Sequence, residues 1–224
     1  MTVPFVVVSD FDGTITAQDL VVALTCHVNP DNRTLVDRIN RRDLDLRSGL
    51  TALFESLPSE NRQDYEAFIQ ETLTFRPGFH RFQEVLEEAR IPFYIVSNGL
   101  DFMLDAALGP QETQAAHRIV NHARFDGPSI AIDWRYPCEP PCPGGCGLCK
   151  HAVVAELRAR YQAPIVFVGD GVTDFNGAKN ADWVFARSHL QSHLDDAHIE
   201  YTPYESFDDV LNALFVAAKE GFHD

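Results

Sequence analysis

Apolar and polar positions along the chain follow two rhythms. Short, unbroken apolar runs rich in Val, Ile and Phe occur at Val6-Val-Val-Ser9, Ile91-Pro-Phe-Tyr-Ile-Val96, Ala163-Pro-Ile-Val-Phe-Val168 and Trp183-Val-Phe-Ala186. Runs of this length without alternation predict strands covered on both faces. Between them, apolar residues recur at helical spacing: Leu20, Val21, Leu24 and Val28; Tyr65, Phe68, Ile69 and Leu73; Phe79, Phe82, Val85, Leu86 and Ala89; Leu100, Met103, Leu104, Ala107 and Leu108; Val153, Val154, Leu157 and Tyr161; Phe207, Val210, Leu211, Leu214 and Phe215. Thr16-x-x-Asp19 reads as a helix N-cap with an acidic first turn, and Asn29-Pro30-Asp31 as the break after that helix. Gly109-Pro110 stops a later helix. Residues 119–136 read as extended, with a turn at Asp126-Gly127-Pro128 and a short strand from Ile130 to Trp134. The last helix carries a Ser206 cap, acidic Asp208 and Asp209 in its first turn, and Lys219 and Gly221 at its end.

Strands alternating with helices predict an α/β fold: a Rossmann-like parallel sheet flanked by helices. One stretch departs from the alternation. Residues 16–75 carry helical patterning and no strand signal, so a helical unit is inserted directly after the first strand, over the carboxyl edge of the sheet. The expected division is a core of 1–15 and 76–224 and an insert of 16–75.

Charge narrows the partners. With 18 basic and 33 acidic residues the net charge is −15, which argues against a nucleic-acid surface and against an anionic membrane patch. Lysine occurs only at 150, 179 and 219. No run approaches the roughly 18 apolar residues of a membrane span, and the N-terminus lacks the basic n-region of a signal peptide. The expectation is a soluble cytoplasmic protein, monomer or homodimer. Most arginines of 31–75 read as a solvated, locally paired face, with one of them available to an anionic substrate.

Chemistry-bearing residues gather at strand ends. Asp10 and Asp12 follow the first run, and in extended geometry i and i+2 point to the same side. Two converging carboxylates repel unless a cation or shared proton compensates, and hard oxygen ligands suit Mg2+. Ser97-Asn98-Gly99 follows the second strand, where Ser97 reads either as a simple helix cap or as part of an anion site. Gly169-Asp170-Gly171-Val-Thr-Asp174 follows the third, and Lys150 opens the helix before it. In a parallel sheet these ends share one edge. Carboxylates, a cation, a lysine and a hydroxyl suit phosphoryl transfer, with one aspartate as nucleophile and another as general acid and base.

The cysteines stand apart from this set. Cys138-x3-Cys142-x3-Cys146-x2-Cys149 is interleaved with Pro and Gly. Four thiols this close read as a structural zinc site, as free thiols, or as redox-labile disulfides. Cys26 reads as a small buried apolar residue. His189 and His193 read as a surface pair on a helix.

Asp10-Phe-Asp-Gly-Thr14, Ser97, Lys150 and Gly169-Asp-Gly-Val-Thr-Asp174 resemble, in order and spacing, the four motifs of the haloacid dehalogenase superfamily. The resemblance implies a phosphatase with Asp10 as nucleophile and Asp12 as general acid and base. It implies Mg2+ held by Asp10, Asp170 and the backbone carbonyl of Asp12, with Asp174 nearby. Ser97, Asn98 and Lys150 would hold the phosphoryl oxygens of a small-molecule phosphomonoester. The 16–75 insert resembles the helical cap of the phosphoserine-phosphatase-like branch, in which an acid after the first motif and a cap arginine face the substrate; Asp19 and Arg47 match best. Arg47-Ser-Gly49, Arg76-Pro-Gly-Phe79, Cys146-Gly-Leu-Cys-Lys150 and Phe185-Ala-Arg187 resemble the phosphatases of methionine salvage. The phosphoethanolamine and phosphocholine phosphatases are similar around the cysteines. A small-molecule phosphotransferase, and a binding protein that uses the cysteine loop, are the alternative readings.

Overall fold

The computed structural model describes residues 3–112, 116–138, 142 and 144–220. Its centre is one seven-stranded sheet. The strands are β1 (Val6–Ser9), β2 (Phe93–Leu100), β3 (His117–Arg124), β4 (Ala131–Asp133), β5 (Ile165–Gly169), β6 (Trp183–Ala186) and β7 (Thr202–Pro203), in the order β4-β3-β2-β1-β5-β6-β7. Neighbours run parallel except β3 and β4, which are antiparallel. All four strands expected from the apolar runs are present. Strand order reverses about β1: β2 and β3 build one side, β5 and β6 the other. Ligands of open α/β sheets bind at such a switch point, outside the carboxyl ends of the strands.

Helices cover both faces of the sheet, which is why the strand sequences do not alternate. Val7, Ile95, Val166 and Phe185 point into one apolar cluster with Phe79, Phe82 and Phe207. Val6, Val8, Val96, Phe167 and Val184 point into the other with Val153, Val154, Leu157, Leu190 and Leu194. The helices α5 (Phe79–Glu88) and α10 (Phe207–Glu220) supply the first face, and α7 (Lys150–Tyr161) and α9 (Ser188–Asp196) the second. Ser206 caps α10 as expected: its hydroxyl accepts from the Asp209 N–H at 3.3 Å, and the Asp209 carboxylate accepts from the Ser206 N–H at 2.8 Å. Gly221 and the side chain of Lys219 lie outside the described residues. His189 and His193 fall on α9, as read.

Four α-helices fill residues 16–75: α1 (Leu20–Val28), α2 (Asn32–Asn40), α3 (Leu46–Glu55) and α4 (Arg62–Thr72). The chain enters and leaves this unit through a paired stalk. Thr16 bridges Phe75, Ala17 N donates to Thr74 O at 2.8 Å, and Arg76 N donates to Ile15 O at 2.8 Å. Phe11, Ile15, Leu20, Leu24, Phe54 and Ile69 are fully buried in the same cluster as the first sheet face. Apolar packing therefore ties these four helices to the sheet, each such side chain contributing about 1.5–3 kcal/mol.

Two local expectations are corrected. Thr16 does not cap α1. Its hydroxyl bonds the Phe11 and Gln18 carbonyls, and Asp19 is the N-cap, accepting from the Val22 N–H at 2.9 Å. The second strand does not stop at Val96; it runs to Leu100 with a register shift against β3 between Val96 and Leu100, the stretch that holds Ser97 and Asn98. The helix α6 (Asp101–Glu112) starts after it and breaks at Gly109, where φ is 64°. The two-residue β7, the one-turn helix α8 (Phe175–Ala178) and the extent of α9 had no clear apolar period to announce them.

Candidate active site

The sheet register sets the site. Ser9 lies level with Ile95 on one side and Val168 on the other, so Asp10, Ser97 and Asp170 leave three adjacent strands at nearly one height. Asp10 N donates to Val168 O at 2.9 Å, which continues the β1–β5 ladder by one residue and holds the first carboxylate at the edge.

Lys150 is the hub of the buried charge. It is the first residue of α7 and is 2 % exposed. Its Nζ lies 2.6 Å from Asp10 Oδ1 and 2.5 Å from Asp174 Oδ1. The other oxygen of Asp174 accepts from the Asp170 and Gly171 N–H groups at 3.0 and 2.9 Å. Asp174 thus ties the lysine to the loop after β5. Asp170 accepts from the Thr14 hydroxyl at 2.7 Å. Its other oxygen lies where Gly13 passes with φ +78°; a Cβ there would stand 2.5 Å from it, so only glycine allows the approach.

Asp10, Asp170 and Asp174 each offer a carboxylate oxygen, and these oxygens lie within 4.8 Å of one another. One ammonium does not balance three carboxylates. Burial first, then the charges of Asp174 and Asp170, push the Asp10 pKa well above the usual carboxylate range, against the pull of Lys150. Burial and the charge of Asp174 raise Asp170 to about 6. Burial works against the Lys150 ammonium, but Asp10 and Asp174 outweigh it and raise its pKa. An all-oxygen cluster short of positive charge is the donor set that a hard divalent cation fits.

Asp12 sits beside this cluster with a different environment. Its Oδ1 accepts from the Leu20 N–H at 2.9 Å, at the start of α1, and its Oδ2 accepts from the Ser97 hydroxyl at 3.3 Å. Ser97 in turn accepts from the Gly99 N–H at 2.9 Å. Burial, and next the charge of Asp19, raise the Asp12 pKa to about 7. The structure therefore joins Asp10, Asp12, Ser97, Lys150, Asp170 and Asp174. Asp19 stands at the rim, where its carboxylate is within electrostatic reach of Asp12.

Asn98 and Arg47 occupy the margin. Asn98 Oδ1 accepts from the Leu148 N–H at 2.8 Å, which spends that oxygen on the loop before Lys150. Arg47 lies on α3 with its guanidinium 5.2 Å from the ring centre of Trp134, a cation–π contact. Gly147 packs between Trp134 and Asn98.

Arg76 has a role that the sequence reading missed. It is 6 % exposed, and its guanidinium donates to the carbonyls of Thr14 at 2.7 Å, Gly13 at 2.6 Å and Thr16 at 3.3 Å. Arg187 adds a bond to Gly13 O at 3.2 Å. These arginines hold the loop that carries Asp12 and Thr14. The signal was present as an arginine beside Pro77-Gly78, but its partners are carbonyls some sixty residues away. Arg76→Met is expected to cost about 3 kcal/mol or more, because it strands buried carbonyls. Urea unfolding would measure it; a loss under 1 kcal/mol would show the loop to be held by other contacts.

A sheet that delivers carboxylates, a hydroxyl and a lysine from neighbouring strand ends to one point is built for transfer of an anionic group. The chain belongs to the haloacid dehalogenase-like hydrolase family, whose model matches residues 7–179. Similar curated proteins include the 2-hydroxy-3-keto-5-methylthiopentenyl-1-phosphate phosphatase of Bacillus mycoides (strain KBAB4), 36 % identical over 207 residues, with 92 % of this chain and 93 % of that protein covered. The protein of the same name from Bacillus pumilus (strain SAFR-032) is 36 % identical over 217 residues, covering 96 % and 92 %. Among solved structures, a phosphoserine phosphatase in a phospho-aspartyl intermediate analogue form superposes with a TM-score of 0.73 at 14 % identity, covering 95 % of this chain and 99 % of that one. That likeness concerns the fold. No helix among the described residues is long and apolar enough to cross a membrane.

Proposed function

We propose that this hydrolase is a Mg2+-dependent phosphatase that works through an aspartyl-phosphate on Asp10, and that its substrate is 2-hydroxy-3-keto-5-methylthiopentenyl 1-phosphate. The observation that carries the chemistry is the junction of Asp10 with Lys150 at 2.6 Å beside Asp170 and Asp12. Support for the substrate comes from the curated relatives, which match nearly the whole chain, insert included.

In this reading Asp10 Oδ attacks phosphorus and the ester P–O bond breaks. Asp12, with a pKa near 7, gives its proton to the leaving oxygen. The Asp12 carboxylate then takes a proton from water, the resulting oxygen attacks the same phosphorus, and Asp10 leaves with inorganic phosphate released. The Ser97 hydroxyl, Asn98 and the Lys150 ammonium bind phosphoryl oxygens. Asp10, Asp170 and the Asp12 backbone carbonyl would hold Mg2+, with Asp174 fixing Lys150 and the Asp170 loop alongside. The cation supplies charge stabilisation for the transferred group. The 16–75 helices form the cap over the pocket, with Asp19 and Arg47 facing the substrate.

The direct test is phosphate release with and without Mg2+ across the methionine-salvage enol phosphate, phosphoserine, phosphoethanolamine, phosphocholine and pyridoxal phosphate. Mg2+-dependent release concentrated on the first compound is the expected result. Preference for another member would move the substrate assignment and leave the chemistry standing. No release from folded protein would overturn both.

Metal binding has its own expected signature. A cation that relieves the carboxylate crowding binds the folded state selectively, so Mg2+ at a hundred times its dissociation constant should add about 2.7 kcal/mol of stability. A thermal melt in EDTA against one in Mg2+ measures this, and the increment should vanish in Asp170→Asn. An equal increment in that variant would place the cation elsewhere.

A further inference from the structure

The cysteine segment is the one sequence motif that the phosphatase chemistry leaves unused. The Sγ atoms of Cys138, Cys142 and Cys146 lie within 4.8 Å of one another, and those of Cys142 and Cys146 are 3.5 Å apart. Cys149 lies outside that group of three, buried as the N-cap residue of α7 three positions after Cys146. All four are free rather than paired as disulfides. The turn that wraps them depends on Gly144, Gly145 and Gly147, each at positive φ. Three clustered sulfurs with no carboxylate among them, and a fourth at C-x2-C spacing from Cys146, make a soft donor set, unlike the oxygen cluster around Lys150.

The same turn touches three segments at or beside the candidate site. Gly145 O accepts from Arg47 N at 2.9 Å, docking the start of α3. Leu148 N reaches Asn98, as described. Cys149 N donates to Tyr136 O at 3.0 Å and is the N-cap residue of α7, whose next residue is Lys150. A cross-link through the four sulfurs would fix all three at once.

We propose that Cys138, Cys142, Cys146 and Cys149 bind one zinc ion as a tetrathiolate site, and that this site pins the turn that presents Lys150 and docks the insert. Binding replaces four S–H bonds by four Zn–S bonds with release of the protons and no change of oxidation state.

The experiment uses the full chain purified under reducing conditions in zinc-replete medium. Elemental analysis should give about one zinc per chain. Exchange with Co2+ should give the sulfur-to-cobalt charge-transfer absorption of a thiolate site. Cys142→Ser should weaken zinc retention at least about tenfold. Should that variant fail to fold, zinc content and the cobalt spectrum of the unaltered protein still decide. Lysine reports the pinning: with only three lysines in the chain, acylation of Lys150 followed by mass spectrometry should rise several-fold when zinc is removed. Metal-free protein in which the four loop thiols titrate alongside Cys26, with unchanged melting, would overturn the site. So would a Cys142–Cys146 disulfide, read as the loss of two hydrogens in the intact mass. Zinc binding with unchanged Lys150 labelling would overturn the pinning. None of these readouts uses substrate, so they stand or fall apart from the phosphatase reading.

Discussion

Asp10→Asn should lose phosphatase activity by about a thousandfold or more, since an amide oxygen is a poor nucleophile toward phosphorus. The same substitution should leave metal-free stability equal or higher. Asp10 is 6 % exposed, and burial and the charges of Asp174 and Asp170 all work against its ionised form. Asparagine keeps the shape, removes one of three crowded charges, and leaves Lys150 its bond to Asp174 at 2.5 Å. Activity and stability should therefore move in opposite directions. Steady-state phosphate release and thermal melts in EDTA, run on one preparation, would show it. Residual activity within tenfold of the unaltered protein would remove Asp10 from the nucleophile role. A large fall in melting temperature would mean that the Lys150–Asp10 pair stabilises the fold, contrary to the charge balance described.

Asp10, Asp12, Ser97, Lys150 and Asp170 were legible because each sits just past an apolar run or opens a helix beside one, and a parallel sheet brings such ends together. The runs themselves were legible because helices bury both sheet faces, which leaves no polar alternation to confuse the period. Arg76 was not legible. Its work is to bind carbonyls, and a carbonyl leaves no mark in a sequence. The Thr16 cap was misread because its hydroxyl found the Phe11 and Gln18 carbonyls, a local competition that spacing does not reveal. The extension of β2 through Ser97 hid behind small polar residues that usually signal a turn. Arg47 could be matched to a cap position, yet its stacking on Trp134 joins segments far apart in the chain. Side chains whose partners are backbone atoms or distant rings are the ones for which pattern has no purchase.

Lys150→Met should be the most damaging single change to the metal-free fold. The lysine is 2 % exposed and is the only cation bonded to both Asp10 and Asp174 among the described residues. Removing one partner from a buried charge cluster typically costs about 3–5 kcal/mol, because the remaining charges lose their compensation. Phosphate release should fall as well, since the ammonium holds the phosphoryl group in the proposed reaction. Mg2+ should restore part of the lost stability by supplying positive charge to the same carboxylates. The pH dependence has a definite sign. Asp170 has a folded pKa of about 6, above the ordinary carboxylate value of about 3.9, so its protonated form favours folding and that contribution is lost as pH rises through about 6. Without the ammonium, ionised Asp10 and Asp170 become costlier still, so the deficit of the variant should grow as pH rises from 5 to 8. Urea unfolding at both pH values, with and without Mg2+, tests the account. A deficit independent of pH and of Mg2+ would reduce Lys150 to a packing residue of α7 and deny it the electrostatic role assigned here.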